Sequence, residues 1–131
     1  DRDSMIYSDG AGATIIELAE EDGGILSHES ASYTHDEVYH LFFGCSNNKS
    51  LEDGNRFIKM YGRKIYEFAL TNVPLALKSC LDKSDYSIKD VKKVLIHKTN
   101  EKKEEANLKR YYKLHKIGMP KNVKAMTNHL L

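Results

Sequence analysis

Apolar positions along the chain fall into blocks whose spacing changes, and each change marks a new element. Thr14-Ile15-Ile16-Glu17-Leu18 is β-branched and apolar, which predicts a strand over residues 13 to 20. A second strand is expected over about 24 to 33, after the turn-forming Glu21-Asp22-Gly23-Gly24. Residues 34 to 55 lose any sustained period and carry Gly44, Asn47, Asn48, Ser50 and Gly54. They read as a long irregular excursion, of the kind that often carries function.

From Gly62 to Leu81 the period becomes three and four. Ile65, Phe68, Ala69, Val73, Ala76, Leu77, Cys80 and Leu81 make one stripe of a helix. Pro74 inside it predicts a kink, because proline removes one helical hydrogen bond and crowds the preceding turn. Asp85 or Ser87 is placed to cap a short turn before Lys92-Lys93-Val94-Leu95-Ile96, a brief strand of the buried parallel kind. A second helix is predicted from about Glu101 to Lys116, with Leu108, Tyr111, Tyr112 and His115 on one face and Gly118 as its stop. Val123 to Thr127 reads as a last strand. Strands alternating with helices predict an α/β fold in three layers, a mixed sheet with packed helices.

Composition narrows the chemistry. With 131 residues the chain is long enough for one domain with a core. Twenty Lys and Arg against 19 Asp and Glu leave a formal charge of +1, so no global field recommends nucleic acid or an anionic membrane as partner. No apolar run approaches the roughly 18 to 20 residues of a membrane span, and Asp1-Arg2-Asp3 does not open a signal peptide. Cys45 and Cys80 lack metal-type spacing and fit free thiols in a reducing cytoplasm. His28, His35 and His40 lie near Asp36 and Glu37, but no pair falls cleanly on one helical turn, so no metal is expected. Asn48-Lys49-Ser50 fits the glycosylation pattern without a secretory context.

Ser8-Asp9-Gly10-Ala11-Gly12-Ala13 first suggests a dinucleotide fingerprint, but Ile15 stands where the third glycine belongs and strand follows instead of helix. These glycines therefore suit a strand start that passes close to backbone or ligand, where a Cβ would clash. His97 is expected where a buried strand ends and a helix begins, and the carboxyl end of a strand is where α/β sheets bind ligands. A lone histidine at such a place is more often structural or merely exposed.

Taken together, four segments resemble the beta-ketoacyl-ACP synthase III family of the thiolase superfamily. Ile6-Tyr7-Ser8-Asp9-Gly10-Ala11-Gly12-Ala13 is similar to its Phe-Gly-Asp-Gly-Ala-Gly-Ala strand, and Gly24-Ile25-Leu26-Ser27-His28 to the strand after it. Met60-Tyr61-Gly62-Arg63-Lys64-Ile65-Tyr66-Glu67-Phe68-Ala69 resembles a Met-x-Gly-x-x-Val-Phe-x-Phe-Ala helix opening. Val94-Leu95-Ile96-His97-Lys98-Thr99-Asn100 resembles the strand that ends in His-Gln-Ala-Asn, with Lys98-Thr99 replacing Gln-Ala.

The resemblance implies a partial thiolase-like fold, with residues 1–22 the last strand of the N-terminal half and 23–131 a truncated C-terminal half. It implies a cytoplasmic acyltransferase of fatty acid synthesis that condenses acyl-CoA with malonyl-ACP, needs no further cofactor and is a homodimer when full-length. By itself the chain is expected to be inactive. Its His97 would be catalytic, a hydrogen-bond donor to the thioester carbonyl and the enolate that forms as carbon dioxide leaves. The family's nucleophilic cysteine belongs upstream at a helix start, a setting neither Cys45 nor Cys80 has. Its partner asparagine belongs just beyond Leu131, for which Asn128 is too early.

Asn100 matches a pantetheine contact, and its position also suits an N-cap for the helix at Glu101. Lys102 matches a basic position that meets CoA and carrier-protein phosphates, against the alternative of a solvated face on which Lys102, Lys103, Lys109, Arg110, Lys113 and Lys116 mix with Glu101, Glu104 and Glu105. Glu67 stands where relatives are often basic. The alternatives are another thiolase-superfamily condensing enzyme, such as a secondary-metabolite ketoacyl synthase or a hydroxymethylglutaryl-CoA synthase, and a non-catalytic structural domain.

Overall fold

A computed structural model describes residues 1–18, 20, 23–51, 54–97 and 101–120. They contain two α-helices and one two-stranded antiparallel sheet, which makes the chain α/β. The chain divides into two compact units, Asp1–Gly24 with Ser32–Ile65, and Ile25–Ala31 with the described part of Tyr66–Leu131.

In the first unit, β1 (Leu41–Gly44) pairs antiparallel with β2 (Phe57–Met60), Leu41 opposite Met60 and Gly44 opposite Phe57. The ladder continues one step, where Tyr61 N donates to His40 O at 2.9 Å. That phase turns the Met60 N–H and Ile58 carbonyl toward the outer edge of β2, where an open strand would leave them to solvent. The 3-10 segment Arg2–Ile6 supplies partners: the Asp3 carboxylate accepts from Met60 N at 3.1 Å and Ser4 Oγ donates to Ile58 O at 3.3 Å. The Asp1 carboxylate draws in the Lys59 ammonium, Ser46 Oγ at 2.5 Å and Asn47 N at 3.1 Å. This arrangement corrects the excursion expected over 34 to 55, which holds β1 and a 3-10 turn, Asp36–Tyr39.

Neither early strand forms. Residues 11–18 and 25–34 adopt no regular secondary structure, and Ile15, Ile16 and Leu18 are 93%, 87% and 99% exposed. The reason is that a strand's backbone groups are satisfied only by a neighbouring strand, and no described segment pairs with either. Nothing lies within 4 Å of a Cβ built on Gly10 or Gly12, so the close approach expected of these glycines is not made among the described residues.

α1 spans Gly62–Asp82 and runs through Pro74, with Leu70 and Pro74 buried. In the second unit, the segment 25–31 lies along the last turns of α1 and is held by side chains where a strand ladder was expected. Ser27 Oγ donates to Cys80 O at 2.7 Å, and Glu29 accepts from Ser79 Oγ at 2.5 Å and pairs with Lys83 at 2.8 Å. Those two partners, Lys83 first and Ser79 second, hold the Glu29 carboxyl below its ordinary 4.5. A depressed folded value means that the contact stabilises fully above the ordinary value and is lost as pH falls through the folded one. Urea unfolding midpoints of the wild type and Glu29→Gln should therefore differ at neutral pH and converge in acid, as pH falls through the lowered value. A gap that persists in acid would show that the ionised carboxylate is not what stabilises.

After α1 the chain turns at Ser87, whose N–H and hydroxyl both donate to the Asp90 carboxylate at 2.8 and 2.6 Å, so the side-chain acceptor at this turn is Asp90 and not the expected Asp85 or Ser87. The strand expected over Lys92 to Ile96 is reduced to an isolated bridge at Leu95, which is 60% exposed. A parallel strand needs neighbours on both edges to be buried, and the sheet of the described residues is antiparallel and contains only β1 and β2. The mixed sheet is thus not formed among them, and the expected strand Val123 to Thr127 lies outside the described residues.

α2 spans Glu101–Leu114. Glu104, Asn107, Leu108, Tyr111 and Tyr112 are buried, the three-and-four spacing of one helix face. Burial pushes the Tyr111 hydroxyl pKa up, with Tyr112, Asp82 and Cys80 adding to it. The stop is Lys116, not Gly118. Lys116 takes the left-handed conformation (φ 58), its N–H donates to Lys113 O at 2.9 Å, and Ile117 N donates to Tyr112 O at 3.3 Å. These two bonds are a Schellman closure, which seats Lys116 in the position that glycine occupies without a Cβ penalty. Lys116→Gly is expected to raise unfolding stability by about 1 kcal/mol, read as a higher urea midpoint; an unchanged or lower midpoint would show that the cap carries no strain.

Candidate active site

His97 lies four residues before Glu101, the first residue of α2, and its side chain is exposed. Val94 and Ile96 beside it are half-buried, so one face of this short segment packs while the imidazole stays in solvent. Asn100 lies outside the described residues. Lys102 sits in the first turn of α2 and is exposed. The positive end of the helix dipole is there, along with backbone N–H groups that have no intrahelical acceptor. His97 thus precedes α2 and Lys102 lies in its first turn, while the buried strand expected to end at His97 is not formed among the described residues.

The two thiols have unlike surroundings. Cys45 follows β1, is exposed, and its Sγ accepts from Arg56 Nη1 at 3.3 Å. It is not at a helix start, as expected of a thiol outside the catalytic set. Cys80 is half-buried on α1 with Ser27 Oγ 3.4 Å from its sulfur. Among the described residues no group of three or more His, Cys, Asp or Glu could hold a metal ion, and no helix is long and apolar enough to cross a membrane.

Sequence reading missed a second feature. Pro74 removes the N–H that would satisfy the Leu70 carbonyl, and Arg110 Nη1 on α2 donates to that oxygen at 2.7 Å. The signal was present in the sequence as a proline inside a helical pattern, which always leaves a carbonyl in need of a donor. Beside this bond runs an open groove of about 480 Å³, with Leu70, Pro74, Leu75 and Leu114 as its apolar part and Lys113 and Lys116 as cations. A cavity of about 370 Å³ in the first unit is lined by Phe42, Gly44, Cys45, Asn47 and Lys59 among others.

No family model and no solved structure matches the chain. Curated relatives do. Beta-ketoacyl-[acyl-carrier-protein] synthase III of Synechococcus sp. (strain WH7803) is 31% identical over 110 residues, covering 77% of this chain and 32% of its own length. The protein of the same name from Streptococcus pneumoniae (strain Hungary19A-6) is 26% identical over 103 residues, covering 76% of this chain and 31% of its own length. The chain is thus a homologue of condensing enzymes. It belongs to the beta-ketoacyl-ACP synthase III family over the matched segment, and it spans about a third of the length of the curated relatives it matches.

Proposed function

We propose that this chain is part of a beta-ketoacyl-ACP synthase III with a thiolase-like fold. Residues 1–22 are the last strand of its N-terminal half, and residues 23–131 belong to its C-terminal half. The observation that carries the reading is the match to relatives of that name across 77% of the chain. The exposure of Ile15, Ile16 and Leu18 and the open space at Gly10 and Gly12 support it. An apolar, β-branched segment left in solvent is what a sheet strand without its neighbours shows.

In this reading a cysteine in the remainder of the protein takes the acyl group from acyl-CoA as a thioester. Malonyl-ACP then loses carbon dioxide, and the resulting enolate attacks that thioester to give 3-oxoacyl-ACP. His97 donates a hydrogen bond to the malonyl thioester oxygen, where negative charge grows as the carboxylate leaves. Asn100 contacts the pantetheine arm, and Lys102, at the positive end of α2, meets a phosphate of CoA or the carrier protein. No further cofactor takes part. The full-length protein is a cytoplasmic homodimer.

The test is condensation by the full-length protein. Labelled acetyl-CoA and malonyl-ACP should give acetoacetyl-ACP and carbon dioxide, and a protein that forms neither overturns the reading. The 131-residue chain alone should form no product; turnover abolished by Cys45→Ala would instead make Cys45 the nucleophile. In the full-length protein, Lys102→Glu should raise KM for malonyl-ACP well above the change from Lys113→Glu, with the gap narrowing in high salt. Equal effects would return Lys102 to a solvated helix face.

A further inference from the structure

Among the described residues other than glycine, Lys116 alone has a positive φ, 58°, and it stands where glycine closes a helix without strain. A side chain kept at such a place against its backbone preference points to a use for that side chain. Lysines near a helix C-terminus do offset its dipole. An exposed cation recovers less there, however, than the left-handed conformation costs. Lys116 lines the groove of about 480 Å³ in the second unit, together with Lys113.

Charge and apolar surface are divided within that groove. α1 contributes Leu70, Pro74 and the half-exposed Leu75, and the C-terminal end of α2 contributes Leu114 and the two lysines. Arg110 also lines it, with one of its donors on the Leu70 carbonyl. Among the described residues no Asp or Glu lines the groove, and neither Lys113 nor Lys116 is held in an ion pair. A cationic end beside an aliphatic wall complements a ligand with one anionic head and an aliphatic tail. A volume of a few hundred Å³ suits a small molecule. The wall on α1 runs only from Leu70 to Leu75, about 7.5 Å at 1.5 Å per residue, too short for the contacts of a docked partner helix over several turns.

We propose that this groove binds a free fatty-acid anion, with its carboxylate on Lys113 and Lys116 and its tail along Leu70, Pro74, Leu75 and Leu114. The head group is what the strained Lys116 serves. This site is independent of His97 and of the condensation proposed above, so either can fail without the other.

Decanoate below its micellar concentration is the probe, titrated into the 131-residue chain. Octanoate should bind more tightly than hexanoate by about twofold per added methylene, the gain of half-buried aliphatic groups. Lys116→Gly relieves strain, so the variant is expected to be more stable while decanoate binding weakens about three- to fivefold. A loss of affinity in a stabilised protein cannot be misfolding. Leu75→Ser should weaken binding about fivefold. Lys109→Ala, which removes a cation outside the groove, should leave it unchanged. Unchanged or tighter binding in Lys116→Gly overturns the proposal, and so does an equal loss in Lys109→Ala.

Two further arms test the occupant. Decyltrimethylammonium carries the same tail with the opposite charge and should bind about tenfold more weakly. Equal affinity would mean that any tail adsorbs, and binding to phosphatidylglycerol vesicles without binding to decanoate would make the face a membrane contact; either refutes the proposal. In the full-length protein, decanoate with a terminal diazirine should label peptides that contain Leu70, Leu75 or Leu114. Labelling there in the 131-residue chain and none in the full-length protein would show that the rest of the protein fills the groove, and the proposal fails.

Discussion

His97→Ala in the full-length protein is expected to slow malonyl decarboxylation by on the order of a hundredfold or more while acyl-enzyme formation stays near wild type. The separation follows from where charge develops. Attack of a thiolate on acyl-CoA and loss of carbon dioxide from malonyl-ACP place their oxyanions at different carbonyls, and an imidazole beside one of them stabilises only that one. Because the His97 side chain is exposed, its truncation should alter stability by no more than about 0.5 kcal/mol, and a lost rate will not reflect unfolding. Labelled acyl-CoA measures the first half-reaction, and release of labelled carbon dioxide from malonyl-ACP measures the second. Equal loss of both would make His97 structural, or an activator of the nucleophile.

Leu108→Ala should carry the largest stability effect. Leu108 is 0% exposed at the centre of the buried face of α2, so the substitution removes a fully buried side chain and leaves a cavity, together worth about 3 kcal/mol. Against a total stability of about 5 to 15 kcal/mol for an ordinary domain, that is a large fraction. Lys109→Ala, one residue on, removes only an exposed i,i+4 pair with Glu105 and should cost less than about 0.5 kcal/mol. Urea midpoints compare the two. Similar midpoints would mean that α2 is not packed through the face containing Leu108.

Both helices were legible in the sequence because a helix satisfies its own backbone and needs a partner only for its apolar stripe. Three-and-four spacing over Gly62 to Leu81 and over Leu108 to Tyr112 was enough to place α1 and α2 close to their observed bounds. Glu104 and Asn107 share the buried face of α2 although their chemistry argues for solvent, and only the packing reveals it. The Gly118 stop failed for a related reason. Composition points to the glycine, yet two backbone bonds close the helix at Lys116 at the expense of a strained lysine.

The strands divide the other way. Ile15-Ile16 has the residues of a strand and forms none, whereas the shorter Leu41–Gly44, expected within an irregular excursion, pairs with Phe57–Met60, where no strand was expected. A strand is a relation between two segments, so its existence depends on what lies beside it. The candidate site follows the same logic. The start of α2 between His97 and Lys102 was legible in the sequence, because a helix carries its own local pattern. That Arg110 reaches the carbonyl freed by Pro74 was decided only by tertiary structure, because a hydrogen bond between residues forty apart depends on how two helices meet, and no local pattern contains that distance.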